Sequence, residues 1–218
     1  PIILTKYLRL QQISSGIGVV NISDDIVVPV NEHVNIVPPE NNPRIQEVKY
    51  IINNEVEGKV IIVCRFRMSI ENIKQVLEKD GHKCSIMVGG MDSELDEQKR
   101  LFHEGNVDIC IAQEQVLAHG HTLYGVNKRC TDMIYYENSF SLDRRAQSES
   151  RPEEYEENPT KKAAQKPITY WDFYSSDMDK KIIQALIRKE NASMALMGYA
   201  RGHGVLSHGA NGNDIFQR

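Results

Sequence analysis

The chain has 218 residues, 40% of them hydrophobic and 26% charged, with a formal net charge of −4. That length suits one sizeable domain, or one domain with extensions, of ordinary globular composition. The acidic balance excludes nucleic-acid binding through bulk charge, so any such contact must rest on a local patch; no run of about 18 apolar residues offers a membrane span.

The N-terminal stretch PIILTKYLRLQQISSG has no basic region leading into an apolar core and cleavage site, so it does not read as a signal peptide. It also lacks an initiator Met, and the expectation is a piece of a longer cytoplasmic protein. Ile3, Leu4, Tyr7, Leu8, Leu10 and Ile13 have the spacing of a short amphipathic helix, broken by Ser14, Ser15 and Gly16. Residues 22–42 alternate loosely and contain Pro29, Pro38 and Pro39, which predicts an extended excursion or hairpin outside the core. Pro43 suits the first position of a helix with Ile45, Val48, Ile51 and Ile52 on its apolar face and Gly58 at its end.

From Lys59 the pattern becomes regular. Residues 60–64 form a continuous apolar run, as expected of a strand buried on both faces. Ser69 is read as the cap of a helix that Gly81 stops. A strand at 83–88 leads to a plain turn at Gly89-Gly90 and a helix beginning at Asp92 or Ser93, with Leu95, Leu101 and Phe102 inward and Gly105 at its end. On that helix Gln98, Lys99 and Arg100 read as a solvated face. Further strands fall at 107–112, 132–136 and 167–174, with helices near 142–150 and after Asp177 or Asp179. Strand and helix alternate about five times through short connections, which predicts an α/β fold, a parallel sheet with helices on both faces. Residues 152–166 read as a mobile loop and 191–218 as a flexible tail, whose His203 and His208 lack the spacing of a metal site. None of Cys64, Cys84, Cys110 and Cys130 forms a Cys-x-x-Cys pair, so buried reduced thiols are expected and no metal site.

The chemistry concentrates in residues 107–151, where each of two strand runs is followed by a polar segment: Ala118-His119-Gly120-His121-Thr122-Leu123 and Arg144-Arg145-Ala146-Gln147-Ser148-Glu149-Ser150-Arg151. The two strands are expected to be neighbours, which would set these loops side by side on the rim where parallel α/β sheets bind ligands. No phosphate-cradling G-x-x-x-x-G-K-[ST] loop and no nucleophile elbow are present. The chain therefore does not encode a self-sufficient NTPase or hydrolase. Each candidate has a bland reading beside it. Arg151 alone reads as a solvated arginine near a helix end, the 119–122 stretch as a polar turn, and Arg65 and Arg67 as exposed arginines flanking a helix.

Several stretches taken in order resemble the second RecA-like lobe of superfamily-two, Swi/Snf-like helicases of the phage type. KVIIVCRFRMSIENIKQVL resembles the lobe's first strand and helix, and GGMDSELDEQKRLFHEGNVDICIAQ its Gly-rich turn, helix and next strand. QVLAHGHTL resembles the fifth helicase motif, NSFSLDRRAQSESR the sixth, and ITYWDFYSSDMDKKIIQALIRKENAS the closing strand and helix. The resemblance implies residues 1–42 as an extension from a first lobe, 43–190 as the RecA-like domain and 191–218 as a tail. It implies ATP and Mg held mainly by an absent first lobe, DNA as partner with RNA as the alternative, and no membrane. It implies a nucleotide-facing Arg151 and Gln147, ATP contact at Gly120, and nucleic-acid contacts at Arg65, Arg67, His119, His121 and Thr122. An arginine inserted from a closing lobe stabilises charge on a transferring phosphoryl group. The family's sixth motif has the form Gln-x-x-x-Arg-x-x-Arg; Gln147 and Arg151 match, but Glu154 occupies the third fixed position. That departure leaves a second reading, a degenerate lobe that binds without hydrolysing ATP.

Overall fold

The computed structural model describes residues 2–21, 31–118, 122–153 and 167–200. Five parallel strands form the central sheet: β3 (Lys59–Cys64), β4 (Cys84–Met87), β5 (Ile109–Gln113), β6 (Cys130–Tyr135) and β7 (Thr169–Asp172), in the spatial order β4-β5-β3-β6-β7. A separate antiparallel pair, β1 (Ile17–Asn21) with β2 (Asn31–Asn35), follows helix α1 (Ile2–Ser14). The remaining helices are α2 (Pro43–Asn54), α3 (Arg67–Lys79), α4 (Asp92–His103), α5 (Glu114–Leu117), α6 (Leu142–Glu149) and α7 (Asp177–Ala200).

The sheet is a three-layer core because the strands carry no polar face. Val60, Ile62 and Cys64 of β3 join Ile109, Ile111, Ile134 and the α2 and α3 residues Ile45, Val48, Ile70, Ile73 and Leu77 on one side. Ile61 and Val63 join Cys110, Ala112, Met133, Tyr135 and Phe102 of α4 on the other. The period-two alternation of a strand thus buries both sets, as a sheet covered by helices on both faces requires. All four cysteines are free. Burial pushes the Cys84 and Cys110 thiols up to about 12, which keeps them protonated.

The N-terminal segment lies against this core. Ile17 is buried, and Gln11, Gln12 and Ser15 are buried with it. Asn35 of β2 and Asn72 of α3 exchange amide hydrogen bonds at 3.2 and 2.7 Å. The excursion expected over 22–42 is therefore a hairpin whose first strand begins earlier, at Ile17; residues 22–30 lie outside those described.

Several local expectations are corrected. Helix α2 begins at Pro43, as expected, capped by Asn42, whose side chain accepts the Arg44 N–H, but it ends at Asn54, before Gly58. Ser69 is no cap: α3 starts at Arg67, and the Ser69 hydroxyl is drawn away to a distant carboxylate. Gly81 does stop α3, with φ +90. Gln98 is not merely solvated, since its side-chain oxygen accepts the Ile86 N–H of β4 at 3.0 Å and closes part of that edge strand. Ser176 caps α7, and Asp179 sits in its first turn rather than opening it. The helix runs on to Ala200.

Asp179 also receives Arg44 from α2 at 3.3 Å, both groups buried. The Arg44 guanidinium donates further to Ser175 and to the Tyr136 carbonyl and lies over the Tyr136 ring. One buried ion pair therefore joins α2, the end of β6 and the start of α7. Removing one partner strands the other in a low-dielectric site. Arg44→Ala is expected to destabilise the chain by about 3–5 kcal/mol, read as a lower urea midpoint at an unchanged slope; a midpoint within error of wild type would remove the pair from the account of the fold.

Candidate functional site: the crevice at the C-terminal ends of β3 and β6

Strands β3 and β6 are hydrogen-bonded neighbours. The helix after β3, α3, packs on one face of the sheet, while α6, after β6, lies on the other, beside Tyr135. Diverging connections from adjacent parallel strands open a crevice at their carboxyl ends, where such folds place ligands.

A carboxylate closes the floor of that crevice. Glu137, just beyond β6, is buried. Its Oε2 accepts the backbone N–H groups of Arg65 (2.8 Å) and Phe66 (3.2 Å), and its Oε1 accepts the Ser69 hydroxyl at 2.5 Å. These are unsatisfied donors at the start of α3, and a negative charge there also meets the positive end of the helix dipole. The β3–α3 turn, which carries Arg65 and Arg67, is thereby fixed to the end of β6.

A second buried carboxylate, Glu114, begins α5 directly after β5 and accepts the Ser139 hydroxyl at 2.7 Å. Burial raises its pKa, opposed by the Ser139 hydrogen bond and by the charges of Arg144, Arg65 and Arg145. A third network lies on β6 and β7. Arg145 grips Asp172 through both terminal nitrogens (2.5 and 3.1 Å), donates to Asn138 at 2.9 Å and stacks on Tyr135 with its guanidinium carbon 3.4 Å from the ring centroid. Burial lowers the Arg145 pKa, but Tyr135, Asp172 and Glu149 outweigh that and raise it, so it stays charged.

The expected site residues distribute unevenly around this crevice. Arg65 is half-buried, with Nη1 on the Gln11 side chain of α1 at 2.6 Å. Arg67 is exposed and donates to the Gly89 carbonyl, so the Gly89-Gly90 turn carries it. Gln147 and Thr122 are exposed. His119, Gly120 and His121 lie outside the described residues. Strands β5 and β6 are not neighbours, because β3 runs between them. Their following segments still meet through Arg151, whose Nε donates to the Leu117 carbonyl (2.8 Å) and Nη2 to that of Ala118 (3.3 Å). The Arg151 carbonyl in turn accepts the Leu123 N–H at 2.8 Å. Arg151 thus brackets the 118–123 loop, binding the open C-terminal carbonyls of α5. Exposed Arg144 makes no side-chain hydrogen bond among the described residues and stands near Glu114 and Arg65.

Sequence reading found the arginines and missed Glu137, Glu114, Asn138 and Asp172. The signal was present in part: Glu114 and Glu137 each follow an apolar strand run within two residues, a place where a charge is costly unless it is paired. Among the described residues no three metal-ligating side chains are grouped to hold an ion. No helix of the described residues is long and apolar enough to cross a membrane.

Comparison with known proteins now bears on this crevice. The helicase conserved C-terminal domain matches residues 43–151, half of the chain. The chain belongs to that helicase family. Beyond the matched stretch, β7 extends the same sheet beside β6, and α7 follows it. Solved structures share its fold. The C-terminal part of the Fun30 ATPase domain aligns with a TM-score of 0.54 and 17% identity over 68% of this chain and 46% of its own length, so this chain spans under half of that protein fragment. The E. coli DEAD-box protein SrmB, solved with the regulator of ribonuclease activity A, gives 0.53 and 14% over 67% and 78%. The C-terminal domain of the DEAD-box protein Dbp5 gives 0.54 and 17% over 67% and 77%. At these identities the likeness shows the RecA-like fold. No curated protein matches the chain.

The Glu114 carboxyl offers a test of the buried charge. Its folded pKa lies above the ordinary 4.5, so the folded state binds more protons than the unfolded state between those two values, and stability falls as pH rises through them. Glu114→Gln keeps an acceptor for Ser139 and removes the charge. The stability of the variant relative to wild type is expected to grow from about pH 4 to about pH 8, as followed by urea midpoints. A difference independent of pH would show that Glu114 is not destabilised by burial.

Proposed function

We propose that this chain is the second motor lobe of an ATP-dependent DNA helicase or translocase of the Swi/Snf-like, phage-encoded type, working in the host cytoplasm. Its RecA-like domain spans 43–190, and residues 1–42 lead in from a first lobe. ATP and Mg are held by the first lobe, and this lobe closes over them. The nucleic-acid backbone runs along the rim, with DNA favoured and RNA the alternative.

The observation that carries the reading is the crevice between β3 and β6, whose edges bear Arg65 and Arg67 at the start of α3, fixed by buried Glu137, and Arg144 in the first turn of α6. Phosphate contacts from fixed arginines give affinity without reading sequence, which suits a protein that moves along a strand. Membership of the helicase family and the fold shared with the Fun30 ATPase domain support the motor assignment. In this reading Arg151 and Gln147 face the nucleotide, Gly120 lets the backbone approach it, and His119, His121 and Thr122 contact nucleic acid beside Arg65 and Arg67.

One observation favours the second reading, a binding lobe that has lost hydrolysis. Two donors of Arg151 are already spent on the Leu117 and Ala118 carbonyls, and Glu154 stands where the motif has its last arginine. For Arg151 to act on a phosphoryl group it must leave those carbonyls when the lobes close.

The deciding measurement is DNA-stimulated ATP hydrolysis by the polypeptide that joins this lobe to its first lobe, with Arg151→Ala beside wild type. A fall in kcat of about 10³-fold or more is expected if Arg151 completes the active site. Unchanged turnover in the variant would exclude Arg151, and no turnover in wild type would leave the binding reading in place.

A further inference from the structure

A cavity of about 300 Å³ opens between α1, α7 and the β6–α6 turn, beside the crevice. That is the lower end of the range for small-ligand sites. Its deeper lining is apolar: Met178 and Ile182 of α7 are buried, and Leu8 of α1 is half-buried. Its mouth carries two aromatic rings that remain open to solvent, Tyr7 at 40% and Phe140 at 39%. Gln11 and Arg65 complete the lining, joined to each other at 2.6 Å. Gln11 is itself anchored to the Asn138 carbonyl, and beyond its Nη1 bond Arg65 makes no further side-chain hydrogen bond among the described residues. Helix α1 bears Lys6 and Arg9 and no acidic residue.

We propose that this groove takes an unpaired nucleobase together with its phosphate. An exposed ring costs free energy in water unless a planar partner covers it, and the two exposed rings beside an apolar lining offer a flat heterocycle surfaces to stack on. The cationic end supplies what an attached phosphate needs. A lipid tail would leave Arg65 and Gln11 without purpose, and a purely anionic ligand would leave Tyr7 and Phe140 uncovered. The proposal rests on the reading of the chain as a nucleic-acid motor lobe and adds to it a stacking contact that arginine–phosphate pairs do not provide. A base held here would couple the strand to α1, the element through which the chain enters the lobe. Base and phosphate reach the groove either on a single strand or as a free nucleotide.

The test uses the 218-residue chain with a fluorescein-labelled oligothymidylate, binding being followed by anisotropy across a salt series. Tyr7→Ala and Phe140→Ala are each expected to weaken binding about fivefold or more, with the slope of log affinity against log salt unchanged. Tyr50→Ala, which removes a still more exposed ring on α2, is expected to bind as wild type. Arg67→Ala, on the backbone track, is expected to lower the slope by about one unit instead. An iodouracil-substituted oligonucleotide should photocrosslink to Tyr7 or Phe140. Competition by AMP that is lost in Phe140→Ala would assign the groove to free nucleotide, and absence of competition would assign it to the strand. Wild-type affinity in both aromatic variants, with crosslinks elsewhere, would overturn the groove while a reduced slope in Arg67→Ala kept the motor reading. Absence of oligothymidylate binding by the wild-type chain at low salt would overturn the groove, whereas the motor reading stands or falls separately on the ATPase measurement.

Discussion

The Glu137 carboxylate is the contact on which the arrangement of the crevice depends. It is buried at the end of β6, yet its three hydrogen bonds all go to the start of the β3–α3 unit, which lies some seventy positions earlier in the chain. The backbone N–H groups there have no helical partner of their own, and a charged acceptor satisfies them with bonds roughly twice as strong as neutral ones. Without it the same turn would need water or a side-chain cap, and Phe66, at the cap position, offers none. The turn's two arginines are therefore positioned by a tertiary contact, not by a local sequence preference.

Around that point three acids, Glu137 and Glu114 buried and Asp172 half-buried, divide the work by location. Glu137 joins β6 to β3, Glu114 joins the start of α5 to Ser139 beyond β6, and Asp172 joins β7 to Arg145 of α6. Each strand end on one side of β3 is thereby tied to a loop from another strand. The arginines at the rim then lie beside acids whose own hydrogen bonds are already taken up inside. This is how a chain of net charge −4 can present a basic edge: a share of its negative charge is folded inward.

The sheet was legible in the sequence because its strands hold short apolar runs, and residues 60–64 of β3 form a continuous one. Helices α2, α3 and α4 were legible through their apolar faces. What failed was everything fixed by partners distant in sequence. Ser69 has the chemistry of a cap, but Glu137 fills that role and turns Ser69 into a donor. Gln98 looks solvated until β4 is placed beside it. The order of the strands, with β3 between β5 and β6, is a property of the crossovers, and adjacency in sequence misjudged it. The arginines of the crevice were visible as charge and motif, whereas the acids that hold them acquire meaning only from the fold.

Arg151 shows the limit of motif matching most clearly. Its position follows the sixth helicase motif, but its side chain closes the carbonyl end of the four-residue helix α5, and its carbonyl holds Leu123 on the far side of the same loop. A helix that short has almost every carbonyl unsatisfied internally, so a guanidinium placed there is well used without any nucleotide. In the proposed motor reading, Arg151 must exchange the Leu117 and Ala118 carbonyls for a phosphoryl group. A charged partner is the stronger one for a guanidinium, so such an exchange is favourable.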